Sequence, residues 1–249
     1  MTSILPLELA DVSFEAGGKR LIKDFSCRLD AGPRTVVLGP NGAGKSLLLR
    51  LCHGLIRPTA GHIRWQGVDP GVKQGMVFQR PVMLRRSVAA NVDYGLKLRG
   101  VPILRRRAVV DDMLGRTGLR RLADRPARVL SFGEQQKLAL ARVWALKPEV
   151  LFLDEPTASL DPAATHAVEE LIDAMHREGT RIVMTTHDLG QAKRIADEVM
   201  FIHRGRLLEW APADRFFARP DNDLAQAFVR GELLWWRLGK DRRAISKPS

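Results

Sequence analysis

The sequence predicts an α/β fold with a largely β opening and a helical block inserted before the α/β pattern resumes. Three observations predict it. A short apolar strand, Arg34-Thr35-Val36-Val37-Leu38, runs into a glycine-rich loop and then into an almost wholly apolar helix beginning Leu47-Leu48-Leu49. Two later runs, Val150-Leu151-Phe152-Leu153 and Arg181-Ile182-Val183-Met184-Thr185-Thr186, are apolar without alternation, as strands buried on both faces of a parallel sheet are. Between these parts lies a basic stretch with helical caps and periodicity.

The loop is Gly39-Pro40-Asn41-Gly42-Ala43-Gly44-Lys45-Ser46 and fits the phosphate-binding pattern G-x-x-x-x-G-K-[ST] in its strand–loop–helix context. Its glycines let backbone N–H groups turn inward, and the helix start adds its positive dipole end. Lys45 reaches the outer phosphates, and the Ser46 hydroxyl is placed to hold Mg²⁺.

Before the loop, Leu7 to Phe14 alternates apolar and polar, as a half-buried strand does. Gly17-Gly18 makes a turn, Arg20 to Leu29 a second strand, and Ala31-Gly32-Pro33 a second turn. After the loop helix, which stops near Arg57-Pro58, come a strand at Ile63-Arg64-Trp65 and a buried strand, Met76-Val77-Phe78-Gln79, ending on an amide.

From Arg80 to Val129 the chain turns helical. Ser87 caps one helix through Val88, Val92 and Leu96, and Pro102 opens another through Leu114. Arg99, Arg105, Arg106, Arg107, Arg116, Arg120, Arg121, Arg125 and Arg128 outnumber Asp111, Asp112 and Asp124 there. Ser131-Phe132-Gly133-Glu134 reads as a capping box before the next helix, which is also a helix end able to meet phosphate. Asp161-Pro162 opens a helix that Gly179 ends, and another helix follows Asp188. Val199 to Ile202 and Arg206 to Leu208 form a hairpin around His203-Arg204-Gly205. Leu233-Leu234-Trp235-Trp236 and a basic tail over 240–249 close the chain.

The chain has 249 residues and a formal net charge of +12, which favours an anionic partner such as nucleic acid or an anionic membrane face. Two cysteines, Cys27 and Cys52, make no disulfide framework and suit a reducing compartment. No apolar run reaches the roughly eighteen residues of a membrane span, and the first residues lack the pattern of a signal peptide.

Two carboxylates, Asp154 and Glu155, end the most apolar strand. The Asp is placed to hold Mg²⁺ opposite Ser46, and the Glu to polarise a water for attack on the γ-phosphate. His187 follows the second buried strand, where strand C-terminal ends line a ligand crevice and a side chain can sense the γ-phosphate.

The order of these parts resembles the ATP-binding subunits of ABC transporters over nearly the whole chain, 4–239. GPNGAGKS at 39–46, Gln79, LSFGEQQ at 130–136, VLFLDEP at 150–156, SLDP at 159–162 and His187 look like the Walker A, Q-loop, signature, Walker B, D-loop and switch histidine. The resemblance implies a RecA-like P-loop NTPase core with an antiparallel β subdomain and an inserted α-helical subdomain at about 80–138. It implies a head-to-tail homodimer, or a paired ATPase subunit, sandwiching two ATP molecules with Mg²⁺. Each ATP would meet the P-loop of one subunit and Ser131 and Gly133 of the other. Glu155 would be the catalytic base, Gln79 a contact to Mg²⁺ and water, and Asp161 a contact across the dimer. Partners implied are transmembrane permease subunits and, through them, a periplasmic or lipoprotein binding protein, with the ATPase at the cytoplasmic side of the membrane.

Two positions depart from the family pattern: Phe132 stands for the first glycine and Glu134 for the glutamine of LSGGQ. The aromatic that often stacks on adenine falls at Ala16, so either Phe14 substitutes or stacking is weak. A soluble ABC ATPase of DNA repair or translation is the alternative, and the basic charge favours it. DNA-repair members insert a long coiled coil, however, and translation members carry two such domains. A metabolite kinase lacks the signature and switch histidine. Import is favoured over export, and the stretch Val77–Ser87 and the ending Gly231–Trp235 resemble tungstate-uptake ATPases. The apolar run Val82-Met83-Leu84 is expected either to form the floor of a permease-docking groove or to be buried in the helical insert.

Overall fold

The computed structural model describes residues 3–67, 71 and 73–232. The Leu233–Trp236 run and the basic tail lie outside the described residues. Six strands form one sheet in the order β5-β6-β7-β3-β8-β9: β5 (Gln74–Val77), β6 (Val150–Asp154), β7 (Arg181–Thr185), β3 (Thr35–Leu38), β8 (Glu198–His203) and β9 (Arg206–Pro212). All neighbours are parallel except β8 and β9, an antiparallel hairpin at one edge. A second sheet, order β2-β1-β4, is antiparallel and built from β1 (Leu7–Ala16), β2 (Lys19–Leu29) and β4 (Ala60–Trp65).

The unbroken apolar runs are explained by burial on both faces. Along β6, Leu151 and Leu153 enter one core while Val150 and Phe152 enter the other. Along β3, Val36 and Leu38 face the first core and Val37 the second, and β7 and β8 divide in the same way. The second core lies against α1 (Lys45–His53) and the antiparallel sheet. The first holds α2 (Val88–Leu98), α3 (Ile103–Arg116), α4 (Phe132–Trp144) and α5 (Pro162–Arg177). The order β7-β3-β8 sets the P-loop strand between two strands that come more than a hundred residues later in the chain. Because β5, β6, β7 and β3 are parallel, the loops that follow them leave from one edge of the sheet.

Of the expected insert, α2 and α3 lie inside 80–138, and α4 starts inside it and continues to Trp144. Ser87, Ser131 and Asp161 are the N-caps read from the sequence, each accepting from a backbone N–H one turn on. Two short helices, α7 (Ala213–Ala218) and α8 (Asp223–Val229), cover the first core through Phe216 and Ala225 and had no sequence expectation. Both cysteines are free; burial, with the Glu198 charge adding, pushes the Cys27 thiol up to about 12.

The run Val82-Met83-Leu84 is not a single exposed floor. Met83 is 5% exposed and packs in the first core, whereas Val82 is 72% exposed. Asn91, itself buried, donates to the carbonyls of Leu84, Arg86 and Ser87 and holds this loop against α2. Met83→Glu should therefore destabilise or unfold the isolated subunit by several kcal/mol, through an unpaired charge in an apolar core. Val82→Glu should change stability by less than about 0.5 kcal/mol. Urea titration followed by circular dichroism compares the two, and equal stabilities would contradict this placement.

Candidate functional site

The site is built where β3 gives way to the P-loop. Gly39 has φ +155, and a Cβ there would sit 2.1 Å from the carbonyl oxygen of Ile202, so only glycine passes β8 this closely. Gly44 caps α1 without any side-chain hydrogen bond, and no acidic residue occupies the first turn. By contrast α2, α4, α5 and α6 (Leu189–Ile195) spend their first N–H groups on side-chain caps. The first donors of α1 thus remain for an anionic ligand.

A cavity of about 650 Å³ opens over this loop. Asn41, Gly42, Ala43, Gly44, Lys45 and Ser46 line it, with Gln79, Glu155 and His187 from the three neighbouring strand ends and Leu21, Leu47 and Arg50 besides. Of the P-loop residues, Gly39 and Pro40 stand behind the cavity and touch it through Lys45, whose Nζ donates to their carbonyls at 2.8 and 3.2 Å. Lys45 is 5% exposed with Glu155 Oε1 3.8 Å away. Burial lowers its pKa, while Glu155 and then Asp154 oppose that shift.

Ser46 Oγ donates to Asp154 Oδ1 at 2.7 Å, so the two residues expected to share a cation already converge. Thr185 Oγ1 donates to the same Asp154 oxygen at 3.0 Å and accepts from Glu155 N at 2.9 Å. Glu155 itself has φ +45, a left-handed conformation that costs a non-glycine residue energy. Its Oε2 stands 3.1 Å from His187 Nδ1. One carboxylate thus lies between the P-loop lysine and the histidine.

Ser131, Gly133 and Asp161 are not in this cavity. They come together elsewhere, where the starts of α4 and α5 meet: a Cβ on Gly133 would lie 3.2 Å from that of Ala164. Ser131 has both parts of its capping box, its N–H donating to Glu134 Oε2 at 2.8 Å and its Oγ accepting from Glu134 N at 3.4 Å, and its hydroxyl also donates to Glu134 Oε2 at 2.8 Å. Asp161 Oδ1 accepts from Ala164 N at 2.8 Å.

Sequence reasoning missed two residues that hold the site. Thr185 is the last residue of an apolar strand, and its hydroxyl has no pattern of its own. Gln136 is completely buried and donates to Pro156 O at 2.6 Å, with Phe78 O at 3.5 Å. It ties α4 to the residue before Gln79 and the residue after Glu155. A polar residue inside an amphipathic helix, three positions past the capping box glycine, was the available signal. Gln136→Leu should keep the fold and lower kcat for nucleotide hydrolysis about tenfold or more, with nucleotide affinity little changed. Steady-state hydrolysis and equilibrium binding on the same preparation check this; equal losses in both, or in neither, would remove Gln136 from the site.

A profile of the family described as "ABC transporter" matches residues 22–158. The phosphate import ATP-binding protein PstB 2 of Natronomonas pharaonis is 34% identical, covering 92% of this chain and 88% of that protein. The tungstate uptake system ATP-binding protein TupC of Peptoclostridium acidaminophilum is 36% identical, covering 86% of this chain and all of the relative, 100%. Among solved structures, cbiO1 from Clostridium perfringens, part of the ABC transporter complex cbiONQ, superposes with a TM-score of 0.77 at 29% identity, covering 95% of this chain and 98% of that one. With a family match over residues 22–158 and relatives above 30% identity along most of its length, the chain belongs to the ABC transporter family, as an ATP-binding subunit that is an ATPase.

Proposed function

We propose that this ATPase powers the import of an oxyanion, tungstate or one related to it, through separate permease subunits. The single observation that carries the mechanism is the convergence of Lys45, Ser46, Asp154, Glu155 and His187 at one sheet edge. The relatives named for phosphate import and tungstate uptake support the oxyanion. The cargo is held by other chains, and a periplasmic or lipoprotein binding protein delivers it to the permease. The ATPase acts peripherally at the cytoplasmic side of the membrane; among the described residues no helix is long and apolar enough to cross it.

The residues present fit Mg²⁺. Ser46 Oγ and Asp154 Oδ1 offer two oxygens at one point, and Gln79 reaches the same cavity. One carboxylate with a hydroxyl, completed by phosphate and water, is the usual way this cation is held. Bound there, it would neutralise charge on the outer phosphates. Lys45 exchanges the Gly39 and Pro40 carbonyls for those phosphates. The free N–H groups of α1 receive the remaining charge. Glu155 orients the attacking water and takes its proton, while His187 holds the far oxygen of that carboxylate.

Two copies would close head to tail, with Ser131 and Gly133 of one meeting the nucleotide of the other, and Asp161 nearby. In the single subunit Glu134 occupies both Ser131 donors, so the incoming phosphates must displace that carboxylate. Permease docking draws on exposed apolar side chains. Leu98, Ile103 and Leu104, at the turn between α2 and α3, are 70%, 51% and 76% exposed, and Val82 is 72% exposed.

Glu155→Gln should bind MgATP, hydrolyse it roughly 10²–10⁴-fold more slowly and elute as a dimer with ATP. Size-exclusion chromatography with a turnover assay reads both, and near wild-type hydrolysis would sink the assignment of the base. With its permease in membrane vesicles, the wild-type subunit should drive uptake of labelled tungstate or phosphate, and this variant should not. Leu104→Glu should leave hydrolysis by the isolated subunit unchanged yet abolish co-purification with the permease. Intact co-purification would place the docking surface elsewhere.

A further inference from the structure

Behind the catalytic edge lies a buried polar network. Gln191, in the first turn of α6, is 1% exposed. Its Nε2 donates to Thr157 Oγ1 at 2.7 Å and to Glu169 Oε1 at 3.0 Å. Glu169, on α5, is 8% exposed, and Arg194 of α6 donates to both its oxygens, at 2.7 and 3.1 Å. The buried carboxylate thus has its counter-charge. A carboxylate only accepts, so the carboxamide nitrogen must face it, and the Thr157 hydroxyl accepts the second N–H proton.

Both ends of this link bear on the reaction centre. Thr157 is the second residue after Glu155. It lies in the turn that runs on to Asp161, closed by Ala158 N to Glu155 O at 3.2 Å and Leu160 N to Thr157 O at 3.1 Å. Gln191 is the fourth residue after His187, and its own N–H donates to Asp188 Oδ1 at 3.0 Å. His187 joins β7 to α6 with a side chain 56% exposed, so its place in front of Glu155 follows from those two elements rather than from packing. The sheet fixes β7. Ala192 and Ile195 seat α6 on the first core, and Gln191 sets it against the turn after Glu155.

Gln136 holds the same turn from α4, through Pro156 O at 2.6 Å. Two buried carboxamides therefore hold the two residues that follow Glu155 and its left-handed backbone. Packing alone does not account for a glutamine at 191. Its Oε1 is buried and has no hydrogen-bond partner among the described residues, a cost that an apolar side chain of the same length would avoid.

We propose that Gln191 is a positioning residue for hydrolysis: its carboxamide ties the helix after His187 to the turn after Glu155 and so fixes the spacing of the base and the histidine. The inference rests on the roles given to Glu155 and His187 in that reaction. Gln191 does not line the nucleotide cavity and acts through Thr157. Misplacing a reacting group by about 1 Å costs rate, while the P-loop, on other elements, still binds the phosphates.

The test measures steady-state ATP hydrolysis and equilibrium MgATP binding on wild type, Gln191→Met, Thr157→Val, Thr157→Ser and the Gln191→Met/Thr157→Val double variant, with urea titration of each to establish folding. Gln191→Met and Thr157→Val keep the shape of the side chain, and each removes one end of the bond. Each should lower kcat about five- to thirtyfold and leave nucleotide Kd within about twofold of wild type. Thr157→Ser keeps the hydroxyl and should retain at least about half of the wild-type kcat. The double variant should be no slower than the slower single one, since both changes remove the same link. Folded single variants with wild-type kcat, losses that multiply in the double variant, or a Thr157→Ser as slow as Thr157→Val would overturn the positioning role. A loss of nucleotide affinity as large as the loss in kcat would overturn it too. If Gln191→Met does not fold, the comparison of Thr157→Val with Thr157→Ser decides alone. Glu155→Gln is the control. Wild-type turnover by that variant would overturn the role of the base and this proposal with it, whereas slow turnover by it beside normal Gln191 and Thr157 variants would overturn the proposal alone.

Discussion

The hydrogen bond from Ser46 Oγ to Asp154 Oδ1, 2.7 Å long, joins the start of α1 to the end of β6. The site depends on that junction, and the junction depends on the sheet. β6 reaches β3 only through β7, so the bond requires β6, β7 and β3 to be parallel and in register, with Asp154 level with Thr185 and Thr185 level with Val37. Thr185 occupies the middle strand and holds the same Asp154 oxygen. A register slip of one residue would reverse which side chains face each core and would break both hydrogen bonds at once.

The donors around the site have partners within the subunit. Lys45 rests on two P-loop carbonyls, Ser46 rests on Asp154, and Ser131 rests on Glu134. Each is a polar group with a partner inside the subunit, so no donor there goes unpaired. Ligand binding then becomes an exchange of partners. Glu155 adds a left-handed backbone at the same edge, fixed by the Thr185 hydroxyl. Gln136 extends the connection to α4, so a movement of the helix that carries Ser131 and Gly133 is felt by the segments bearing Gln79 and Glu155.

Much of this was legible in the sequence, for physical reasons. The P-loop glycines, the apolar runs and the caps at Ser87, Ser131 and Asp161 are local signals, and each element formed where its signal lay. Glu155 and His187 were read as strand ends of a parallel sheet, and Gln79 joined them through the resemblance to the family. What the sequence did not disclose depends on distant partners. Thr185 and Gln136 act through hydrogen bonds to other elements. The helices α7 and α8 are too short to show a clear period. Met83 and Val82 are adjacent apolar residues, and only packing against α2 separates the buried one from the exposed one.

On the proposed mechanism, Lys45 leaves its carbonyl partners for the outer phosphates. The most direct measurement is calorimetric titration of MgATP into the wild-type subunit and into Lys45→Ala. The expected result is saturable binding by wild type and a loss of at least tenfold in affinity by the variant, with an unchanged circular dichroism spectrum. Undiminished ATP affinity in a folded Lys45→Ala subunit would contradict it.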